Sequence, residues 1–314
     1  MSGYCLSPPG KRMPASCRDA QEKETWMAVY KRGYQRYLGP IQGRWAKFCV
    51  LPRFAWRRML SQRLVVLLLV LSMIWPLLCA AYLYIGNHTD LLKGLGVGPD
   101  FLSFIQGNGT FFMVFMNVQA IFAVFLAALT GPGCIAPDLA NNALPLYFSR
   151  PITRGEYALG RLATLVGLLS IITWIPGLLL FIMQASMAGW SWFRENWEIG
   201  IGMFAGFVLW ILLVSLVALA SSAYAKMKVI AGGIVLGFFF ILSGASNIIN
   251  GVFRSSWGFI INPSWATRRL WYAMLEVDPP EGPGVLLCLC ALVVLFLLLA
   301  LILERKLRPV EVIT

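Results

Sequence analysis

The sequence holds one histidine, His88, and charged side chains make up only 13% of its 314 residues. A lone histidine in a loop with Asp90 offers neither a cluster of metal ligands nor a nucleophile with its base, so it reads as a solvated loop residue. The Gly-x-x-x-x-Gly-Lys-[Ser/Thr] loop that cradles nucleotide phosphates is also missing from these residues. No catalytic, cofactor-binding or metal-binding residue is expected, and the chain reads as a non-enzyme. The long apolar runs contain no clear Asp, Glu, Lys, Arg or His, the groups that ion-coupled carriers place at membrane depth. The seven cysteines (Cys5, Cys17, Cys49, Cys79, Cys134, Cys288, Cys290) give no disulfide framework. Cys288 and Cys290 would point about 200° apart on a helix and read as small apolar residues.

What is present is apolar surface. Hydrophobic residues make up 59% of the chain, more than one soluble domain of this length can hide. A bilayer core needs about 20 apolar residues per helix, and six runs approach or reach that length. They extend from Leu64 to Ile85, Phe111 to Leu129, Leu162 to Met183, Ile199 to Ala223, Val229 to Ile249 and Val285 to Leu303. Continuous rather than alternating apolarity excludes a barrel. The expected fold is an all-α membrane protein with six transmembrane helices between residues 64 and 303.

Charge sets the expected orientation. Residues 1–63 hold 13 Lys/Arg against 3 Asp/Glu. With that segment inside, 21 Lys/Arg fall on its side of the membrane and 5 on the other. The asymmetry and the even helix number predict cytoplasmic N- and C-termini, the latter a short tail at 304–314. Residues 1–25 lack apolar periodicity and read as a mobile cytoplasmic tail. Residues 26–63 interleave aromatics and bases, among them Trp45, Arg53, Trp56 and Arg57. Rings favour the headgroup level and bases favour anionic lipid, so this stretch reads as an amphipathic elbow on the inner membrane surface. A nucleic-acid partner is not expected from such ordinary basic flanks.

Within the runs, Pro76 and Pro176 each remove a backbone bond and predict kinks near Ser72 and Ile172. Asn117 and Gln119 are polar groups at membrane depth that need partners, either across helices or along a translocation path. The pairs Gly202/Gly206 and Gly233/Gly237 permit close helix approach, within the chain or between chains. The segment from Asn250 to Gly284, with Trp257, Trp265 and Trp271, suggests short helices dipping into the outer interface.

The most punctuated stretch runs from Gly131 to Arg161. Asp138 reads as the N-cap of a short helix bearing Leu139, Leu144, Leu146 and Phe148, which Pro151 ends. Thr153 followed by Glu156 is a capping box that starts the third membrane helix. A short helix held at the cytoplasmic surface by two stops is suited to transmit motion from a partner.

This stretch, with Leu144-Pro-Leu-Tyr-Phe-Ser-Arg150-Pro-Ile-Thr-Arg154 and Glu156-Tyr-Ala-Leu-Gly-Arg161, resembles the coupling segment of ABC-2 type transporter permeases. The branch it looks most like is grouped with multi-copper enzyme maturation systems. The resemblance implies a plasma-membrane permease subunit of an ATP-driven exporter in bacteria, working as a dimer with a second permease copy. A separate ATPase subunit would bind the ATP. It also implies that Asp138, Asn142, Arg150, Arg154 and Glu156 form the coupling contact, and that Gly233 and Gly237 lie in the dimer seam. An ion-coupled carrier and a non-transporting membrane scaffold are the alternatives.

Overall fold

The computed structural model describes residues 44–88, 108–141, 153–225 and 227–306, without the side chains of 44–51, 140 and 154. All regular structure in these residues is helical. Helix α1 (Arg44–Leu60) precedes α2 (Arg63–Asn87), α3 (Gly109–Thr130) and a short α4 (Pro132–Ala140). Then come α5 (Arg154–Ile172), α6 (Trp174–Ala188), α7 (Trp190–Tyr224) and α8 (Lys228–Phe253). A 3-10 turn at Trp257–Ile261 leads to α9 (Pro263–Met274), and α10 (Val285–Lys306) ends the bundle. Six segments are long and apolar enough to cross a membrane: α2, α3 with α4, α5 with α6, α7, α8 and α10. The chain is a multi-pass membrane protein.

Helix α7 is the axis of the bundle, touching α3, α4, α5, α6, α8, α9 and α10. Its most apolar stretch is 67% buried, against 17% for α10 and 22% for each of α2 and α8. The three peripheral helices therefore present apolar side chains such as Leu77, Ile241 and Leu286 outward, as lipid-facing helices do. Small residues let the centre close. At Gly206 an added Cβ would stand 2.7 Å from Trp271 Cδ1, and the Trp271 indole donates to the Gly206 carbonyl at 3.0 Å. Gly202 is covered by the Met274 backbone, so the Gly202/Gly206 pair seats α9 on α7.

The two prolines behave differently. The helix runs unbroken through Pro76, whereas α5 and α6 separate at Thr173, whose φ of −105° and ψ of −96° leave the helical region. The helical path is interrupted beside Ile172, where a kink was expected, while around Ser72 the helix continues through Pro76. A single residue, Gly189, turns α6 into α7, and its φ of 93° is where a side chain would be strained.

The short helix after α3 departs from the sequence reading. Asp138 does not cap it: the helix starts at Pro132, six residues earlier, and Asp138 lies in its last turn. The cause is non-local. Pro132 has no N–H and suits a first helical position, while the Ser222 hydroxyl of α7 accepts from the Ile135 and Ala136 amides at 3.1 and 3.0 Å. The same hydroxyl donates to the Pro132 carbonyl at 3.2 Å. A buried serine 90 residues away supplies the cap. Residues 142–152, the rest of the expected coupling helix, lie outside the described residues, as do the tail and elbow residues before Arg44.

The segment from 250 to 284 folds into short helices as expected, but two of its tryptophans turn inward. Trp271 is 1% exposed and Trp265 is buried, stacked on Phe259 with centroids 4.5 Å apart. Trp257 alone of the three is open, at 67%. Asn262 sets this geometry by accepting from the Ser264 and Trp265 amides and capping α9 ahead of Pro263.

Candidate functional site

Three features converge where α3 and α4 meet α5. Thr153 and Glu156 form the reciprocal capping box: the Glu156 amide donates to Thr153 Oγ1 at 3.2 Å and the Thr153 amide to Glu156 Oε2 at 2.8 Å. One turn on, Tyr157 donates from its hydroxyl to Asp138 Oδ2 at 2.6 Å. Arg161 donates to the same oxygen and forms an ion pair with Asp138. The guanidinium also sits 5.2 Å from the Tyr157 ring centroid. Residues 157 and 161 share a helix face, so one carboxylate ties α4 to α5 at two points.

This clasp is largely dry, with side-chain exposures of 10% for Arg161 and 15% for Asp138, and Tyr157 is fully buried. An ion pair in such surroundings depends on both partners and on the extra hydrogen bond from Tyr157. Arg161 Nε is buried without a partner. Beside the clasp, Cys134 lies buried in α4. Together with the Ser222 cap, the clasp links α4 to both α5 and α7.

Among the residues expected to make a coupling contact, Asp138 and Glu156 come to this end of the bundle. Asp138 is committed internally and Glu156 to the cap. Asn142 and Arg150 lie outside the described residues, and so does the side chain of Arg154, the first residue of α5. Sequence reasoning missed Tyr157 and Arg161 as partners of Asp138. Their four-residue spacing was legible, but nothing local says that an aspartate 19 or 23 positions earlier closes on them.

Helix α1 has a definite contact with the bundle. The Trp56 indole donates to the Thr164 carbonyl at 2.8 Å, and its ring lies where Gly167 leaves room on α5. Arg53 and Arg57 point outward. The side chain of Trp45 lies outside the described residues. Trp56→Ala is expected to speed tryptic cleavage after Arg57 and Arg58 several-fold in solubilised protein, because α1 loses both its hydrogen bond and its filled groove. Cleavage at the wild-type rate would show that α1 docks by other contacts.

The polar residues of α3 separate. Gln119 is fully buried, and its amide nitrogen donates to the Ser72 carbonyl at 3.2 Å and also to the Ile172 carbonyl. These are the acceptors left free by the missing N–H groups of Pro76 and Pro176, each four residues on. Asn117 bonds the Met113 carbonyl of its own helix at 2.8 Å and faces a cavity between α3, α7, α8 and α9. On α8, an added Cβ at Gly233 would meet nothing within 4 Å, and one at Gly237 only Ile241 of the same helix. That small-residue face is open.

No protein-family model matches the chain, and no curated protein matches it. The residues themselves therefore carry the functional reading. Among the described residues no group of three or more His, Cys, Asp or Glu could hold a metal ion.

Proposed function

We propose that this chain is the membrane subunit of an ABC-2 type exporter, forming the translocation path and driven by a separate ATPase subunit. The observation that carries the reading is the junction of α3, α4 and α5. There a capping box and a buried ionic clasp bracket, in the chain, the basic Leu144–Arg154 run that resembles the coupling segment of such permeases. A load on this run would reach α5 through the clasp and α7 through Ser222, moving central helices rather than a surface loop.

The accompanying proposals follow from the same reading. Both termini face the cytoplasm, α1 with the residues before it forms the elbow at the inner surface of a bacterial plasma membrane, and two copies meet along α2 and the Gly233/Gly237 face of α8. Coupling residues are Asp138, Asn142, Arg150, Arg154 and Glu156, with Asp138 acting through Tyr157 and Arg161. Asn117 faces the path, while Gln119 supports it by joining the three helices that carry residues 72, 119 and 172.

The test is purification of the tagged chain from its native membrane in mild detergent. An ATPase with a phosphate-binding loop is expected to co-purify in about equal amount, with vanadate-sensitive hydrolysis. Reversing both charges, Arg150→Glu with Arg154→Glu, is expected to abolish that association while the chain still folds and inserts. A chain recovered alone, or an association indifferent to the reversal, would overturn the assignment.

A further inference from the structure

Midway along α3 and α8, these two helices together with α7 and α9 line a cavity of about 400 Å³, within the usual range for ligand sites. Its composition is graded. Ile121, Phe239 and Phe240 form apolar walls, and both Ile121 and Phe240 are open to the surroundings at 58% and 67% exposure. Trp210 and Trp271 close the inner side, held by indole hydrogen bonds to the Ala120 and Gly206 carbonyls. Toward α9 the lining turns polar, with Asn117, Ser243 and Arg268.

Arg268 is the unusual member. Among the described residues no carboxylate pairs with it, and its Nε makes one long hydrogen bond, 3.4 Å, to the Ser264 carbonyl one turn earlier. The residue is exposed and lines the cavity. Partial burial pushes its pKa down from the ordinary arginine value, with Tyr272 opposing. A guanidinium at the rim of an apolar groove in a membrane protein favours an anion there, because its five donors match phosphate geometry.

We propose that this groove binds an anionic lipid, its phosphate at Arg268 and one acyl chain along Ile121 and Phe240. Charge complementarity singles out this occupant. A zwitterionic lipid brings its own cation to the guanidinium, and a second copy meeting this one through α8 would bring the uncharged Gly233–Gly237–Phe240 stripe, which offers no counter-charge. The lateral opening between α3 and α8 also suits a ligand that arrives from within the bilayer. The groove shares Asn117 with the proposed translocation path, but lipid binding at Arg268 requires neither ATPase nor transport.

The experiment uses the full chain in phosphatidylcholine vesicles containing a trace of phosphatidylglycerol with a photoreactive group on its acyl chain. The matching phosphatidylcholine compound is the comparison, and labelled peptides are identified by mass spectrometry. Phosphatidylglycerol is expected to label the α3 and α8 peptides holding Ile121 and Phe240 several-fold more than phosphatidylcholine does. Arg268→Gln should erase the difference and Arg268→Lys keep most of it. Equal labelling by the two lipids in the wild-type chain, which needs no variant to fold, would overturn the proposal. So would an unchanged preference in Arg268→Gln or suppression by inorganic phosphate, the sign of a free anion. Capture of a second copy by a photoreactive side chain placed at Phe240 would assign the groove to the dimer instead.

Discussion

Arg161→Met is expected to destabilise the protein by about 3–5 kcal/mol, the cost of leaving one member of a buried ion pair alone. Asp138 would keep the Tyr157 hydrogen bond but lose its only cation among the described residues, in a site where water cannot replace it. Asp138→Asn should be similarly harmful because it strands the guanidinium. The double variant should cost clearly less than the sum of the two, since neither charge is then left without its partner. The measurement is the thermal midpoint of fluorescent fusions by size-exclusion chromatography after heating. Additive losses would mean that the two residues do not act as a pair. Arg161→Lys should recover only part of the loss, because an ammonium lacks the planar fork that spans Asp138 and the Tyr157 ring.

Gln119→Leu removes the donor shared by two proline-freed carbonyls, and each buried carbonyl left unpaired costs about 1–3 kcal/mol. The expected loss is therefore large for a substitution that preserves volume and adds apolarity. The diagnostic result is rescue. In Pro76→Ala with Pro176→Ala, new N–H groups can reach the Ser72 and Ile172 carbonyls, and the added Gln119→Leu change should then be far milder. An equally severe loss in that background would show that packing, not the two hydrogen bonds, makes Gln119 important.

Gln119 also shows how far a sequence can be read. Each proline identifies its orphaned carbonyl by simple counting, and a glutamine at membrane depth announces that it needs partners. That one side chain serves both carbonyls depends on α2, α3 and α5 meeting at one level, which no local pattern encodes. The helix start at Thr153 was fully legible because a capping box is closed within four residues. The start of α4 was misread at Asp138 because a good N-cap residue is a local signal, and Ser222 overrode it from another helix. The aromatic segment from 250 to 284 was read as short helices, which it forms, but which of its tryptophans turn inward was not legible. Tryptophan suits both a headgroup layer and a helix core, and only the cradle at Gly206 shows that Trp271 belongs to the core.

By spacing the two glycine pairs were equivalent, and only the family resemblance set Gly233 and Gly237 apart. In the folded chain Gly202 and Gly206 are filled by α9, whereas Gly233 stands open and Gly237 meets only its own helix. The sequence by itself determined the class of the protein and the place of each crossing, because the bilayer fixes how long an apolar run must be and composition records it. It also determined the helix start at Thr153, which rests on backbone chemistry within a few residues. The tertiary structure alone decided which polar groups are spent on holding helices together and which remain open to a partner. Hydrogen bonds and ion pairs between helices join residues 19 to 108 positions apart, and their formation depends on the depth at which each helix packs.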